Sequence, residues 1–302
     1  MAHGSNEHGL VEQHVDLRVG DKDRRMLVVR PERPQPGAPV VLALHGSNQT
    51  GGGLRRFTGG QFDRFASRDG AVVLYLDGHK KHWNDARVSI DFAARLEDYD
   101  DVEFALTAID WAAANTGADA AWARAVGFSN GGAMVIRLSH QAPERFAGLA
   151  AIAATVPAPE NFLLADTEPV PVRMLYLHGT ADPLVPYEGG VASLWGMRPR
   201  GLGLSAVQSA EHSAAQNGIV DAPQSRDLPE GSDDKTSATV TDWSQPDRLP
   251  VRLITVHEGG HTVPGRTRAP VLMGRTAHGF EAADHIAEFL GLTDDRRAQN
   301  EP

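Results

Sequence analysis

The stretch that most limits what this chain can fold into is Ala121 to His140. A short apolar run, Trp122 to Val126, enters Gly127-Phe128-Ser129-Asn130-Gly131. It leaves as a helix-patterned segment with Met134, Val135, Ile136 and Leu138. Strand, sharp turn and helix, with a serine at the apex, fit the Gly-x-Ser-x-Gly spacing of a nucleophile elbow. A serine on so tight a turn has strained dihedrals, and small residues two before and two after it let strand and helix close up. The turn exposes the hydroxyl at the carboxyl end of a sheet and aims the Asn130 amide at whatever the serine attacks.

The flanking pattern says what sheet this is. Pro39 to Leu44 (PVVLAL), Ala71 to Leu76 (AVVLYL), Gly148 to Ala154, Val172 to Leu177 and Val251 to Val256 are apolar runs. Such runs suit strands buried on both faces. His14 to Val19 and Arg25 to Val29 read as a hairpin about Gly20 to Asp23, and Gly51 to Gly53 as a glycine-rich loop. Helical spacing follows Asp100 and Asp101, whose carboxylates suit a helix start, and returns over Phe280 to Leu290. Alternating strands and helices predict an α/β fold: a mostly parallel central sheet with helices on both faces. A polar insertion, about 186–248, precedes the last parallel strand and reads as a lid or binding surface. Within it Ser205 to Gln216 suits a helix, and Ala238 to Trp243 a strand pairing with Val251 to Val256. The expected division is a disordered lead over 1–12, one domain over 13–293 and a disordered tail over 294–302.

Of 302 residues 41% are hydrophobic and 23% charged, enough for a sizeable core. A net charge of −10 argues against nucleic acid or an anionic membrane surface as partner. Cysteine is absent, which excludes disulfides and thiolate metal sites. With no signal-like start and no long apolar run, the chain as it stands reads as cytoplasmic and not membrane-spanning.

A serine hydroxyl needs an adjacent base. In this fold type the partners follow in the order serine, acid, histidine. Asp182 lies just beyond the Val172 to Leu177 strand, and His261 just past the last parallel strand, in Gly259-Gly260-His261-Thr262. Ser129, Asp182 and His261 are the expected catalytic triad. The loop after the first central strand, His45-Gly46-Ser47, should give the second oxyanion amide, from Ser47 beside that of Asn130. His45 itself reads as a packed structural residue. His257-Glu258-Gly259-Gly260-His261 matches the zinc-protease pattern, but that site needs a helical turn, and two glycines cost it ~1 kcal/mol each. His79, His82 and Asp85 read as a polar loop. No metal and no cofactor is expected.

These pieces together resemble a family. Leu44-His45-Gly46, Tyr75-Leu76-Asp77-Gly78, Trp83-Asn84-Asp85, Asp100-Asp101-Val102 with Phe104, the elbow through Gly132, His178-Gly179-Thr180-Ala181-Asp182 with Val185-Pro186-Tyr187, Asn217-Gly218, and Gly260-His261-Thr262 with Pro264-Gly265 occur in family order. The chain is similar to the polyhydroxybutyrate depolymerases and the bacterial feruloyl and acetylxylan esterases. The resemblance implies an α/β-hydrolase fold and ester hydrolysis by Ser129, Asp182 and His261. It departs at Ile219, where the family usually has cysteine, and at Val263, where it often has tryptophan. Trp83 and Val263 are therefore expected as facing walls of a substrate pocket. The expected substrate is a small or oligomeric ester, of hydroxyalkanoate, feruloyl or acetyl type. Acyl transfer or lactone opening by the same triad, or a non-catalytic binding protein of this fold, are the alternatives. Oligomeric state is not legible.

Overall fold

The computed structural model describes residues 9–168, 170–193, 196–228 and 235–292. In chain order the strands and helices are β1 (Leu10–Val19), β2 (Lys22–Pro31), β3 (Pro39–Leu44), α1 (Gly51–Phe57), α2 (Arg64–Ser67), β4 (Val72–Leu76), α3 (Ala93–Leu96), α4 (Asp101–Thr116), β5 (Asp119–Phe128), α5 (Asn130–Gln141), β6 (Phe146–Ile152), β7 (Met174–Gly179), β8 (Gly190–Val191), β9 (Leu202–Gly203), α6 (Ala206–Gln216), β10 (Gln224–Leu228), β11 (Ser237–Trp243), β12 (Val251–His257) and α7 (Ala282–Phe289).

The main sheet runs β1-β2-β4-β3-β5-β6-β7-β12-β11-β10. From β4 to β12 neighbouring strands are parallel, and antiparallel pairs flank them at both ends. The alternation of a strand sorts the core into two layers. In β3, Val40, Leu42 and Leu44 join the cluster that includes Phe104, Ile109 and Ile136, from α4 and α5. Val41 and Ala43 join the opposite cluster, with Leu54, Phe65 and Ile286 from α1, α2 and α7. Helix α4 starts on Asp100, whose carboxylate accepts from the Glu103 amide at 2.9 Å. Asp101 and Glu103 stand in its first turn.

Three boundaries differ from those expected. Residues 1–8 lie outside the described residues, but Leu10, Val11 and Glu12 belong to β1, so the lead ends earlier. Two-residue Gly20-Asp21 turns the hairpin and lets both strands run to ten residues. Gly51 to Gly53 is not a loop but the first turn of α1. Thr50 caps it, accepting from the Gly53 amide at 3.1 Å. Glycine is needed at 51 because a Cβ would sit 2.5 Å from the Tyr75 carbonyl oxygen. The polar 186–248 stretch contributes more than a lid. It adds β10 and β11 to the end of the sheet, and its α6 lies against β7 and β12. A capping box of Ser205 and Gln208 starts that helix. The tail over 294–302 lies outside the described residues.

Candidate active site

The elbow is built by close approach. Ser129, between β5 and α5, has φ 55° and ψ −117°. A non-glycine residue held there costs roughly 1–3 kcal/mol. The surroundings fix it: its amide donates to the Ile152 carbonyl at 2.8 Å, and its own carbonyl accepts from Ala133 at 2.9 Å. A Cβ on Gly127 would lie 2.1 Å from the Gly131 oxygen, and one on Gly131 2.2 Å from that of Leu44. Strand, turn and helix can therefore meet only with glycine at both positions.

Two further loops reach the serine from the carboxyl ends of β7 and β12. His261 Nε2 stands 2.8 Å from Ser129 Oγ, and Nδ1 stands 2.7 Å from Asp182 Oδ2. Both the imidazole and the carboxylate are buried. An ionised carboxylate can only accept, so Nδ1 carries the proton and the Nε2 lone pair faces the hydroxyl. Asp182 Oδ1 accepts from the amides of Leu184 and Val185 at 2.8 and 2.9 Å. Burial opposes its charge, but His261 and the hydrogen bonds from His178 and His261 hold the carboxyl well below the usual carboxylate range. The two loops touch at glycines: a Cβ on Gly179 would lie 2.3 Å from the Gly259 oxygen. The His261 amide in turn donates to Met273 at 2.7 Å. The structure thus brings together the three residues expected from their order in the chain.

Ser47 and Asn130 line the same pocket, and neither amide has an acceptor among the described residues. His45 orients the first of them. Its Nε2 accepts from the Gly78 amide at 2.9 Å, which leaves Nδ1 to donate to the Gly46 carbonyl at 2.8 Å. With that carbonyl pinned, the amide on the opposite side of the same peptide, that of Ser47, points away from the clamp. Burial pulls the His45 pKa down to about 4, so the imidazole stays neutral in this role. Asn130 is held from its side chain. Its Oδ1 accepts from the Trp83 amide at 2.9 Å, and its Nδ2 donates to Asp85 Oδ2 at 2.6 Å.

Trp83 and Val263 do not become pocket walls. Trp83 is fully buried, donates from Nε1 to the His45 carbonyl at 2.8 Å, and packs its ring 4.8 Å from the imidazole. It anchors its loop beneath the elbow. Val263 is buried in the apolar cluster that includes Phe62 and Phe280. The loop turns so that His261 faces the serine while the residue two further on faces the core.

The pocket above Ser129 has a volume of about 410 Å³ and is lined on its far side by Ala192, Arg200 and Leu202, from the stretch that holds β8 and β9. Arg87 and Arg200, neither of them singled out by the sequence, both line it. Arg87 Nε pairs with Asp85 Oδ1 at 3.0 Å. Arg200 donates from Nη1 to Ser47 Oγ at 3.0 Å and lies over the Phe92 ring at 4.6 Å. Burial, then neighbouring Arg87, pulls its pKa below the usual arginine value. Composition gave no sign of these: Arg200 falls in a segment with no periodic pattern, and its neighbours come from four separate stretches of chain.

The His257 to His261 segment is not helical. His257 ends β12 with Nε2 2.9 Å from Thr239 Oγ1, and Glu258 has φ 58°. The two imidazoles therefore do not share a helix face. His79 lies against Tyr99, its ring centroid 3.6 Å away, and His82 against Phe92 at 4.1 Å. No helix among the described residues is long and apolar enough to cross a membrane.

A serine on an elbow, with acid and histidine loops beside it at the carboxyl ends of a mostly parallel sheet, is the arrangement of the α/β-hydrolase fold. Residues 115–196, from the end of α4 through β8, match the Phospholipase/Carboxylesterase family. A protein of Nocardia uniformis subsp. tsuyamanensis called "Putative esterase NocK" is 30% identical over 263 residues, 84% of this chain and 74% of that protein. The chain belongs with this relative to the α/β-hydrolase esterases and is a carboxylic ester hydrolase by class. Among solved structures, the acetyl xylan esterase from Aspergillus awamori superposes with a TM-score of 0.63 over 93% of this chain and 99% of that one. At 18% identity this likeness bears on the fold.

Proposed function

We propose that the protein is a serine carboxylesterase acting through an acyl-enzyme. The observation that carries this reading is the unbroken line Ser129 Oγ, His261 Nε2, His261 Nδ1, Asp182 Oδ2, at 2.8 and 2.7 Å, under a pocket with two unpaired amides. Ser129 Oγ attacks the ester carbonyl while His261 Nε2 takes its proton. The negative oxygen that forms accepts from the Ser47 and Asn130 amides, each contributing ~3–4 kcal/mol to lowering the barrier. Asp182, kept ionised by its neighbours, stabilises the imidazolium. His261 then hands the proton to the departing alcohol. Water, deprotonated by the same nitrogen, attacks the acyl-enzyme and frees the acid and the serine.

The expected substrate is a small or oligomeric ester. The resemblance to polyhydroxybutyrate depolymerases and to feruloyl and acetylxylan esterases supports this, as does a pocket of about 410 Å³ with a largely apolar lining. A serine-directed fluorophosphonate should label Ser129, and p-nitrophenyl esters should be hydrolysed at a rate that chelators leave unchanged. Activity lost on chelation and restored by zinc would overturn this mechanism.

A further inference from the structure

The pocket has an unusual charge. The chain carries a net −10, yet the charged lining residues besides His261 are two arginines, and no described lining residue is acidic. The two arginines differ. Arg87 is neutralised by Asp85, which it grips from both Nε and Nη2. Among the described residues, Arg200 has no carboxylate within ion-pair distance; Asp85 and Asp91 act on it only through space. Its single acceptor among the described residues is the hydroxyl of Ser47, the residue whose amide is aimed at the reacting carbonyl. Nε and Nη2 of Arg200 have no acceptor among the described residues.

The guanidinium is nevertheless held in place. The Phe92 ring supports one face. The Arg200 amide donates to Ala192 at 2.8 Å, and buried Asn161 donates to the carbonyls of Arg200 and Leu202 at 3.4 and 2.9 Å. A half-buried cation among apolar walls loses hydration, and Asp85 and Asp91 offset this only through space, without an ion pair; a ligand's anion placed against the guanidinium recovers the rest. The planar fork of donors matches a carboxylate best.

We propose that Arg200 is a carboxylate anchor and that the substrate is an ester bearing a free carboxylate, such as the half-ester of a dicarboxylic acid or the acid end of an oligoester. This rests on the ester-hydrolase reading of Ser129. Neutral esters then bind the same pocket without the charged contact, and a carboxylate-bearing ester is drawn into register with the nucleophile.

The test compares matched pairs of substrates. Mono-p-nitrophenyl succinate is set against p-nitrophenyl butyrate, placing the charge in the acyl part. 4-Acetoxybenzoate is set against its methyl ester, placing it in the alcohol part. In at least one pair the wild-type enzyme should prefer the charged ester in kcat/KM, and Arg200→Ala should lower the charged-to-neutral ratio by about 10- to 100-fold. Arg200→Lys should retain part of the preference. Equal losses on both members of each pair would overturn the proposal and assign Arg200 to orienting Ser47. So would a wild-type enzyme that prefers the neutral ester in both pairs. In either case continued hydrolysis of the neutral esters leaves the esterase reading standing. Absence of turnover on all four, with no fluorophosphonate labelling, would take both down.

Discussion

The pocket has two walls made in different ways. On the sheet side, the elbow, the His45 to Ser47 loop and the His261 loop meet through glycines that admit no Cβ, and apart from the Ser47 and Asn130 amides that face the pocket, the polar side chains named above are hydrogen-bonded. On the other side, the stretch with β8 and β9 is a two-residue ribbon held by backbone bonds and by Asn161, against which Gly201 is packed too closely for a Cβ, and it presents a guanidinium with no ion-paired carboxylate among the described residues. The first wall is over-determined and, on the mechanism proposed above, holds the groups needed for attack on any ester. The second holds the charge that, on the proposal above, would choose among esters. Under these proposals, chemistry and choice are carried by different parts of the chain.

Removing the hydroxyl tests the first wall most severely. Ser129→Ala should lose ~10⁴-fold or more in kcat, since triad members act as a unit. The loss should be equal on charged and neutral esters, unlike that of an Arg200 variant. Near-wild-type turnover in this variant, with the fold intact by circular dichroism, would remove the division between the walls altogether.

A smaller effect belongs to His45. An unfolded imidazole takes up its proton near pH 6.5, the folded one only near 4. As pH falls the unfolded state binds the proton first, so the stabilisation is whole above pH 6.5 and is lost progressively towards pH 4. The amount at stake is on the order of 3 kcal/mol. His45→Gln, whose amide can still accept from Gly78 and donate to Gly46, should show a shallower fall in denaturant-measured stability over that window. An unchanged slope would mean that the Ser47 amide is held by something other than a neutral imidazole.

Val263→Trp should cost about 1–3 kcal/mol of stability through overpacking. It should not favour small esters over bulky ones, because the side chain faces the core and not the pocket. A selective loss on bulky esters would return this residue to the pocket wall.

What was legible in the sequence was whatever short-range pattern decides. The β3 run, the elbow, the capped α4 and the order Ser129, Asp182, His261 each depend on residues within a few positions, or on the known sense of the chain through a parallel sheet. The rest depends on distant partners. Gly51 to Gly53 resembled a loop until Thr50 and the Tyr75 carbonyl supplied a cap and a neighbour. Trp83 looked like a pocket aromatic because its segment is polar, yet the His45 carbonyl and Asn130 draw it inward. Arg200 had no local signal, since what makes it notable is the absence, among the described residues, of an acid paired with it across the pocket.

The dihedrals of Ser129 carry one consequence for melting. Alanine keeps the Cβ that makes φ 55° costly, whereas glycine releases it. Neither side chain can attack an ester, so both variants are inert. Yet Ser129→Gly should melt above Ser129→Ala by about 1 kcal/mol, the reverse of the usual advantage of alanine over glycine. A folded chain free of any duty would settle on glycine at this position. The serine there is kept against the preference of its own backbone, and thermal resistance is what the protein gives up for it.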